Sequence, residues 1–361
     1  MFDTLTLTNF RNHEFGRINS AGFKNIVITG PNGSGKTAIL EAISMLSNNG
    51  GLRGAAGAEI ARIQGDSSFA VNAELENETN LSVSYSAPDA GRKLRVDGDA
   101  SPIAAASKFL RLVWLTPKED RLFAESASDR RAFLDRMAAG FDPVHSGRVA
   151  RLAKLLSERA FALKSGADAT WLNAIESQLA ATAASVAAAR VAYAAQLNHF
   201  LQAETNARIV LSGWFESRLA GGANCVDAEK EYATYLAANR TIIADKMVID
   251  GAHKSDFSMF RSDIDMNAGM MSAGQQKKLL LLLIIANAKL LYARTSTPVV
   301  ILLDEAVAHL DGDNIRDLFA RLDASPAQIW MTGANSDSFN GVNNALIVSC
   351  MDGRIDCRIK S

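Results

Sequence analysis

The 361-residue sequence predicts an α/β fold in which a helical subdomain interrupts a sheet built from both ends of the chain. Up to about Leu115, short runs rich in β-branched and aromatic residues alternate with glycine-rich turns, which is typical of strands. Through residues 117–239, apolar side chains recur at helical spacing. An apolar helix then precedes a predicted strand, Pro298–Glu305, which is apolar up to its two terminal acids, as in a parallel sheet covered on both faces. The expected parts are 1–115 and 251–361 for the sheet-containing lobe and 116–250 for the helical arm.

Individual elements follow from their residue patterns. The N-terminal strands are predicted at Phe23–Gly30, Ser68–Leu75 and Asn80–Ser86. From Ile175 onward, apolar residues at a spacing of three or four, with alanine between them, predict one arm of a helical hairpin. Near the other end of the chain, the pattern predicts a very apolar helix at Gln275–Leu291 and a strand at Gln328–Gly333.

Composition limits the classes of protein that remain. Hydrophobic residues make up 48% and charged residues 21% of the chain, as in a globular protein with a sizeable core. The net charge of −1 excludes a histone-like basic tail, so contact with nucleic acid must come from a local patch. The first residues lack a signal-peptide pattern, and no apolar stretch approaches the roughly 20 residues of a membrane span. We expect a cytoplasmic protein without a membrane segment, in which Cys225, Cys350 and Cys357 are buried or idle thiols.

The segment GPNGSGKT predicts a phosphate-binding loop. It lies between an apolar strand and a helix-compatible stretch, the context that the pattern G-x-x-x-x-G-K-[ST] requires. Glycines let backbone N–H groups approach phosphate oxygens without a Cβ in the way, and the helix start adds its positive dipole end. We expect Lys36 to reach the β- and γ-phosphates of ATP and the Thr37 hydroxyl to bind Mg²⁺. The alternative is a glycine-rich turn with a chance Lys-Thr pair. The expected ATP-binding residues of this loop are Gly30, Pro31, Asn32, Gly33, Ser34, Gly35, Lys36 and Thr37.

Two acids complete this site at the end of the apolar strand. Asp304 follows the apolar run Val299–Leu303 and is expected at the Mg²⁺ edge of the nucleotide. Glu305 then stands beside the metal, where a carboxylate can orient and deprotonate the attacking water. The catalytic residues are therefore expected to be Glu305 and Lys36. The alternative is a core strand that ends in solvated acids.

A third motif, SAGQ at Ser272–Gln275, opens the apolar helix just upstream of this strand. It resembles the signature of ABC-type ATPases, in which a Ser hydroxyl, a Gly backbone and a helix start cradle the nucleotide of the other subunit. The alternative is an ordinary capping box, since Ser is followed by Gln three residues later. AHLD (Ala308–Asp311) resembles the D-loop, which touches the opposite subunit. The resemblance implies an ABC-type P-loop ATPase head with an inserted helical arm that forms an ATP-dependent homodimer. Its expected residues in trans are Ser272, Gly274, Gln275 and Asp311.

Further blocks resemble the RecF family of bacterial DNA-repair proteins over nearly the whole chain. The most discriminating block is WLTPKEDRLFAESASDRRAFLDRM (Trp114–Met137). The others are LTLTNFRNH (Leu5–His13), GLRGA (Gly51–Ala55) and GAHKSDF (Gly251–Phe257). The resemblance implies that Arg11 lies near the nucleotide phosphates. It also implies binding of double-stranded DNA next to single-stranded gaps, and work with RecR and RecO to load RecA.

The chain departs from the family pattern at several positions. Ala252 and Lys254 replace the usual Pro and Arg. The segment Thr116–Asp120 occupies the place of the Q-loop without a glutamine, and Gln64 is the nearest glutamine upstream. Thr332 stands where a γ-phosphate-sensing histidine is usual. The first two replacements argue against a tight contact by that loop, and the other two differences favour slow hydrolysis. The expected activity is slow, DNA-stimulated ATP hydrolysis.

DNA contacts are expected from basic residues that outnumber acids between Lys108 and Arg159. A groove lined in this way could neutralise phosphates regardless of base sequence. The alternative is a solvated helix surface with ion pairs. The candidate DNA-binding residues are Lys118, Arg121, Arg130 and Arg131. At the level of function, the alternatives are an ATP-gated DNA clamp with little functional hydrolysis, a RecF-like paralogue in phage defence, and a small-molecule P-loop kinase.

Overall fold

The computed structural model describes residues 1–47, 50–63, 65–87, 91–241 and 249–359, and Gln64 lies outside them. The chain divides into two compact units. The first unit combines Met1–Arg121 with Ser272–Ser361, and the second is Leu122–Met271. The first unit is thus assembled from both ends of the sequence, with the second inserted between them.

Elements are numbered along the whole chain. The strands of the first unit are β1 (Phe2–Phe10), β2 (His13–Asn19), β3 (Asn25–Thr29), β4 (Ser68–Leu75), β5 (Asn80–Ser86), β6 (Lys93–Val96), β7 (Asp99–Ser101), β8 (Arg111–Leu115), β12 (Val299–Leu303), β13 (Gln328–Gly333), β14 (Ala345–Met351) and β15 (Arg354–Ile359). Its helices are α1 (Lys36–Ser44), α2 (Gly57–Ile60), α8 (Ala273–Thr295) and α9 (Gly312–Asp323).

A mostly parallel sheet in the order β15-β14-β3-β13-β12-β8 forms the centre of the first unit. Every residue of β3, β12 and β13 is buried, because strands covered on both faces have no solvent side to leave polar. Among the described residues of this sheet, β14 and β15 form the one antiparallel pair, and its other neighbouring strands are parallel. The prediction that both ends of the chain contribute to one sheet is confirmed, since β3 and β8 from the first part lie beside β12, β13 and β14 from the last.

A second sheet, in the order β2-β1-β4-β5-β6-β7, is antiparallel and alternates buried with more exposed residues. The buried faces of both sheets and α1 form one hydrophobic core. Phe2 lies where the two sheets meet. Its ring forms a T-shaped pair with Trp330 at 6.0 Å between centroids, and its amide donates to Gln328 Oε1 at 3.0 Å.

The second unit is mainly helical. Its helices are α3 (Ala127–Phe141), α4 (His145–Lys164), α5 (Ala169–Glu204), α6 (Trp214–Ala220) and α7 (Cys225–Ala238). Its strands are β9 (Ala207–Ser212), β10 (Asp256–Arg261) and β11 (Met266–Asn267), which form a small antiparallel sheet in the order β11-β10-β9. The helix predicted from Ile175 onward is α5, and α4 with α5 forms the predicted hairpin; the small sheet was not predicted.

Buried ion pairs hold the helices of the second unit together. Asp135 on α3 accepts two hydrogen bonds from Arg190 on α5, both at 2.8 Å, and one from His145 Nε2 at 2.8 Å. Arg159 and Glu176 are both 3% exposed at their side chains and pair at 2.7 Å between α4 and α5. Shifting either helix along the other would leave a buried charge without its partner, which is energetically costly.

Within the described residues, none of the helices combines the length and apolar content that crossing a bilayer demands.

Candidate nucleotide site

The expected phosphate and metal residues lie together at one edge of the parallel sheet. β3 leads into the phosphate loop, and β12 leads into Asp304. Ligands bind beyond the carboxyl ends of the strands in sheets of this kind. A cavity of about 710 Å³ opens there, a volume typical of small-molecule sites. The residues expected from the sequence that line it are Arg11, Asn32, Gly33, Gly35, Lys36, Thr37, Asp304 and Glu305.

Steric contacts explain the glycines of the loop. Gly30 has a φ of 151°, and a Cβ there would lie 2.1 Å from the carbonyl oxygen of Cys350. Gly35 caps α1 with a φ of 108°, and its Cβ would lie 2.6 Å from His13 Nε2. Any side chain at either position would push the loop away from the sheet, so both glycines are needed for the shape of the cradle.

The polar groups of the loop fit a triphosphate. Lys36 is buried, and its Nζ donates to the carbonyl oxygens of Gly30 at 2.7 Å and Pro31 at 2.8 Å. Ser34 Oγ is buried and has no hydrogen-bond partner within the described part of the chain. Phosphate oxygens only accept hydrogen bonds. The glycine-rich loop, the Lys36 ammonium and the Ser34 hydroxyl all offer donors, so they suit a phosphate ligand.

Residues that sequence reasoning missed hold this loop from behind. The carbonyl oxygen of Ser34 accepts from Asn12 Nδ2 at 3.1 Å, from the Gly353 amide at 3.2 Å and from Cys350 Sγ at 3.0 Å. Burial raises the pKa of the Cys350 thiol, which keeps it protonated as a donor. The ring of His13 lies between the carbonyl oxygens of Gly35, at 3.1 Å, and Gly353, at 2.8 Å. For Asn12 and His13 the signal in the sequence was the polar turn after β1, at the end of the family-like block Leu5–His13.

An oxygen-rich pair of ligands stands where Mg²⁺ was expected. Thr37 Oγ1 donates to both carboxylate oxygens of Asp304, at 3.0 and 3.1 Å. Thr332 Oγ1 also donates to Asp304 Oδ1, at 2.6 Å, and so orients the carboxylate. No cluster of three or more His, Cys, Asp or Glu able to hold a metal occurs in the described residues. One carboxylate and one hydroxyl fit Mg²⁺ of the kind that takes its other ligands from phosphate and water.

Glu305 has an unusual backbone. Its φ is 51°, in the left-handed region that non-glycine residues rarely adopt, and its side chain is exposed at the cavity wall. Its amide donates to Thr332 Oγ1 at 2.8 Å. Backbone strain at a carboxylate beside a ligand cavity is typical of functional positions.

Arg11 lines the cavity, but most of its guanidinium is already engaged. Its Nε and Nη2 donate to Glu41 at 2.8 and 2.6 Å, and its Nη1 donates to the carbonyl oxygen of Glu59 at 2.6 Å. The hydrogen bond with Glu41 raises the pKa of Arg11. Two further arginines that were not predicted, Arg53 and Arg62, share the cavity wall.

The signature and D-loop residues do not line the cavity. Ser272 caps α8 in a capping box: its Oγ accepts from the Gln275 amide at 3.4 Å, and its own amide donates to Gln275 Oε1 at 3.1 Å. Both side chains are exposed, and Gly274 is half-buried. Asp311 is also exposed and caps α9, accepting from the Asn314 amide at 2.8 Å. The capping box that was the alternative interpretation is therefore present. The same residues are also exposed, as contact with a second subunit would require.

The candidate DNA-binding residues fall into two groups. Lys118 and Arg121, in the first unit, are exposed. Arg130, in the second unit, pairs with Asp256 through two hydrogen bonds of 2.8 and 2.7 Å. Arg131 donates to the carbonyl oxygen of Ser255 at 2.9 Å. Arg130 therefore fits the alternative in which the basic residues form ion pairs, and its partner, Asp256, lies far away in the sequence.

The positions that depart from the family pattern have clear local roles. Ala252 is fully buried in the core of the second unit, and its carbonyl oxygen accepts from Arg190 Nη1. Lys254 is partly exposed and pairs with Asp250 at 3.6 Å. In the Q-loop segment, Glu119 Oε2 accepts from the Thr116 amide at 2.9 Å and from the Thr116 hydroxyl.

A phosphate loop and a carboxylate pair lie at the edge of one parallel sheet, and the start of the signature helix is exposed on the same unit. These features together define an ATPase of the ABC type. Comparison with known proteins narrows this class. The chain matches the family described as RecF/RecN/SMC N terminal domain over residues 1–356. It is 36% identical to the DNA replication and repair protein RecF of Allorhizobium ampelinum, with 97% of each chain covered. It is also 36% identical to that of Brucella suis biovar 1, with 94% of this chain and 91% of the other covered. The chain belongs to the RecF family.

Solved structures agree on the fold. The recombination mediator protein RecF with ATPrS superposes with a TM-score of 0.86 at 20% identity, covering 99% of this chain and 98% of the other. The Smc head domain of Pyrococcus furiosus superposes with a TM-score of 0.52 at 16% identity, covering 100% and 96%. At these identities the likeness speaks for the fold alone.

Proposed function

We propose that this chain is a cytoplasmic ATP-dependent DNA-binding ATPase of recombinational repair. In this proposal it binds duplex DNA next to single-stranded gaps and helps RecR and RecO to load RecA. The observation that carries the proposal is the convergence of Lys36, Asp304 and Glu305 on one cavity. Membership of the RecF family supports the repair role. The related structure of RecF with an ATP analogue, described as part of a RecFOR pathway, supports the nucleotide and the partners.

The residues of the site have distinct proposed roles. Lys36, Ser34 and the loop amides hold the phosphates, since each is a donor at the cradle. Thr37 and Asp304 hold Mg²⁺, which supplies positive charge to the phosphate oxygens. Glu305 orients a water molecule and accepts its proton. Arg11 has five N–H donors, of which three are engaged within the protein, so the remainder can face the phosphates.

The signature residues are proposed to act on a second copy of the chain. Ser272, Gly274 and Gln275 begin α8 away from the cavity of their own chain, and Asp311 begins α9. Exposed helix starts attract anions, so Ser272 and Gly274 of one copy suit the γ-phosphate held by another. The proposed assembly is an ATP-dependent homodimer that closes around duplex DNA.

Sedimentation velocity of the wild type and Lys36→Ala, with and without ATP and a gapped duplex, tests this assembly. We expect only the wild type with ATP to form a DNA-bound dimer. The hydrolysis rate per subunit should also rise with protein concentration, because each site needs two chains. A rate that stays constant down to monomeric concentrations would exclude a shared site.

DNA binding is proposed to involve Lys118 and Arg121, because both are exposed and can neutralise phosphates. The contributions of Arg130 and Arg131 are proposed to be weaker, because their guanidinium groups already bind within the second unit. Lys118→Ala with Arg121→Ala should weaken duplex binding and lower its salt dependence by about 2 in slope. Arg130→Ala is the matched control, which we expect to lower stability more than DNA affinity.

A second candidate function is an ATP-gated clamp in which hydrolysis matters little. The observation in its favour is Thr332, whose hydroxyl is occupied by Asp304 and by the Glu305 amide at the position of the usual sensor histidine. Glu305→Gln separates the two candidates. Loss of repair activity with retained DNA binding supports the hydrolytic function, whereas retention of both supports the clamp.

A further inference from the structure

A buried lysine of α8 contacts the backbone of the proposed catalytic glutamate. Lys277 is 2% exposed, and its Nζ donates to Asp120 Oδ2 and to the carbonyl oxygen of Glu305, each at 3.0 Å. Its neighbour Lys278 is partly exposed and pairs with Asp317 on the surface of α9 at 3.3 Å. A buried ammonium needs partners that satisfy its charge and its donors, so the position of Lys277 is set by these two oxygens.

The contact bears on the conformation of Glu305. The amide of Glu305 donates to Thr332 Oγ1, and its carbonyl oxygen accepts from Lys277 and from the Ala308 amide, at 3.1 Å for the latter. Both peptide groups of the residue are therefore anchored, which holds it at a φ of 51°. A glutamate without these anchors would favour the right-handed or extended regions, and its carboxylate would point elsewhere.

The other partner of Lys277 comes from the segment that stands in place of the Q-loop. Burial raises the pKa of Asp120, and the charge of Lys277 opposes that effect. Asp120 Oδ1 is buried and has no hydrogen-bond partner among the described residues, so the Lys277 ammonium is the group that compensates this carboxylate. Lys277 thus links three segments: the residues after β8, the start of the signature helix and the residues after β12.

We propose that Lys277, with Asp120 as its counter-ion, is a positioning residue that sets the direction of the Glu305 carboxylate for hydrolysis. The inference rests on the proposed ATPase function of the same site. Because Lys277 lies on α8, whose exposed start is proposed to meet the nucleotide of a second copy, a shift of that helix is transmitted to Glu305 through a single hydrogen bond. Lys277 touches neither the cavity nor the phosphate loop, so it should affect turnover and not nucleotide affinity.

The test compares Lys277→Met with the matched control Lys278→Met. Steady-state hydrolysis gives kcat, and equilibrium binding of a fluorescent ATP analogue gives Kd. We expect Lys277→Met to lower kcat by roughly tenfold or more while Kd changes by less than about twofold, and Lys278→Met to retain both. Lys277→Arg, which keeps the charge and the donors, should recover part of kcat. A Lys277→Met chain that turns over at the wild-type rate overturns the proposal, as does an equal loss of affinity.

Asp120→Asn is the second variant, in case Lys277→Met fails to fold. It keeps the side-chain shape and removes the counter-charge, so we expect a smaller fall in kcat with unchanged Kd. Wild-type kcat in a folded Asp120→Asn chain overturns the proposal. The double variant should be no slower than Lys277→Met alone, because both changes break the same contact. If the wild-type chain hydrolyses no ATP, the proposed ATPase function itself is overturned. If the wild type is active and Lys277→Met is equally active, only the positioning role of Lys277 is overturned.

Discussion

Replacing Arg11 tests whether this residue serves stability, nucleotide binding or both. The Glu41 side chain is 1% exposed and takes two hydrogen bonds from Arg11. Arg11→Met leaves that carboxylate buried without its main partner, which typically costs about 3–5 kcal/mol. Two features reduce the cost here. Arg11 is 23% exposed at its side chain, so water already screens the pair, and Arg53 lies 3.8 Å from Glu41. We therefore expect a loss of about 2 kcal/mol in the free energy of unfolding.

The control is the double variant Arg11→Met with Glu41→Leu. It removes the buried charge together with its partner and places a good helix former in α1, so most of the lost stability should return. Urea denaturation followed by circular dichroism measures stability, and equilibrium ATP binding is measured on the same samples. If Arg11 also contacts phosphate, the double variant will be stable but bind ATP more weakly. Equal stability of Arg11→Met and wild type would refute the reasoning, as would a double variant no more stable than the single one.

Three further changes have outcomes that follow from local geometry. Gly30→Ala should abolish ATP binding in an equilibrium assay, because the new Cβ would lie 2.1 Å from the carbonyl oxygen of Cys350. ATP binding by this variant at wild-type affinity would contradict the steric argument. Gly147→Ala should raise the unfolding free energy by about 0.5–1 kcal/mol, because this exposed position in α4 has open space for a methyl group. For Asp135, burial would raise the pKa, but hydrogen bonds from His145 and Arg190 outweigh it and hold the pKa below its ordinary value. The stabilisation is therefore complete above the ordinary pKa of an Asp carboxyl and is lost as the pH falls through the lowered pKa, so Asp135→Asn should flatten the decline of the urea midpoint in acid.

Much of the nucleotide site could be predicted because its signals are local. The order of strand, glycine-rich loop and helix is written in consecutive residues, and backbone sterics explain why Gly30 and Gly35 must be glycine. The apolar run before Asp304 likewise predicts a buried strand that ends at the ligand edge. The strands predicted at Ser68–Leu75, Asn80–Ser86 and Gln328–Gly333 match β4, β5 and β13. Period-two or wholly apolar patterns over short segments were sufficient for these elements.

The partners of those residues depend on the tertiary structure. Several contacts at the site join segments that are separated in the sequence. Arg11 pairs with Glu41, Lys277 pairs with Asp120, and His13 supports the phosphate loop at Gly35. The register of the sheet and the burial of particular charges decide such contacts, and neither is encoded in local spacing. By itself the sequence predicted the class of ATPase, the phosphate loop and acids that line the candidate cavity, and the inserted helical arm. Only the tertiary structure decided which buried side chains hold those residues in place, because a buried polar group must find its partner in whatever segment the fold brings beside it.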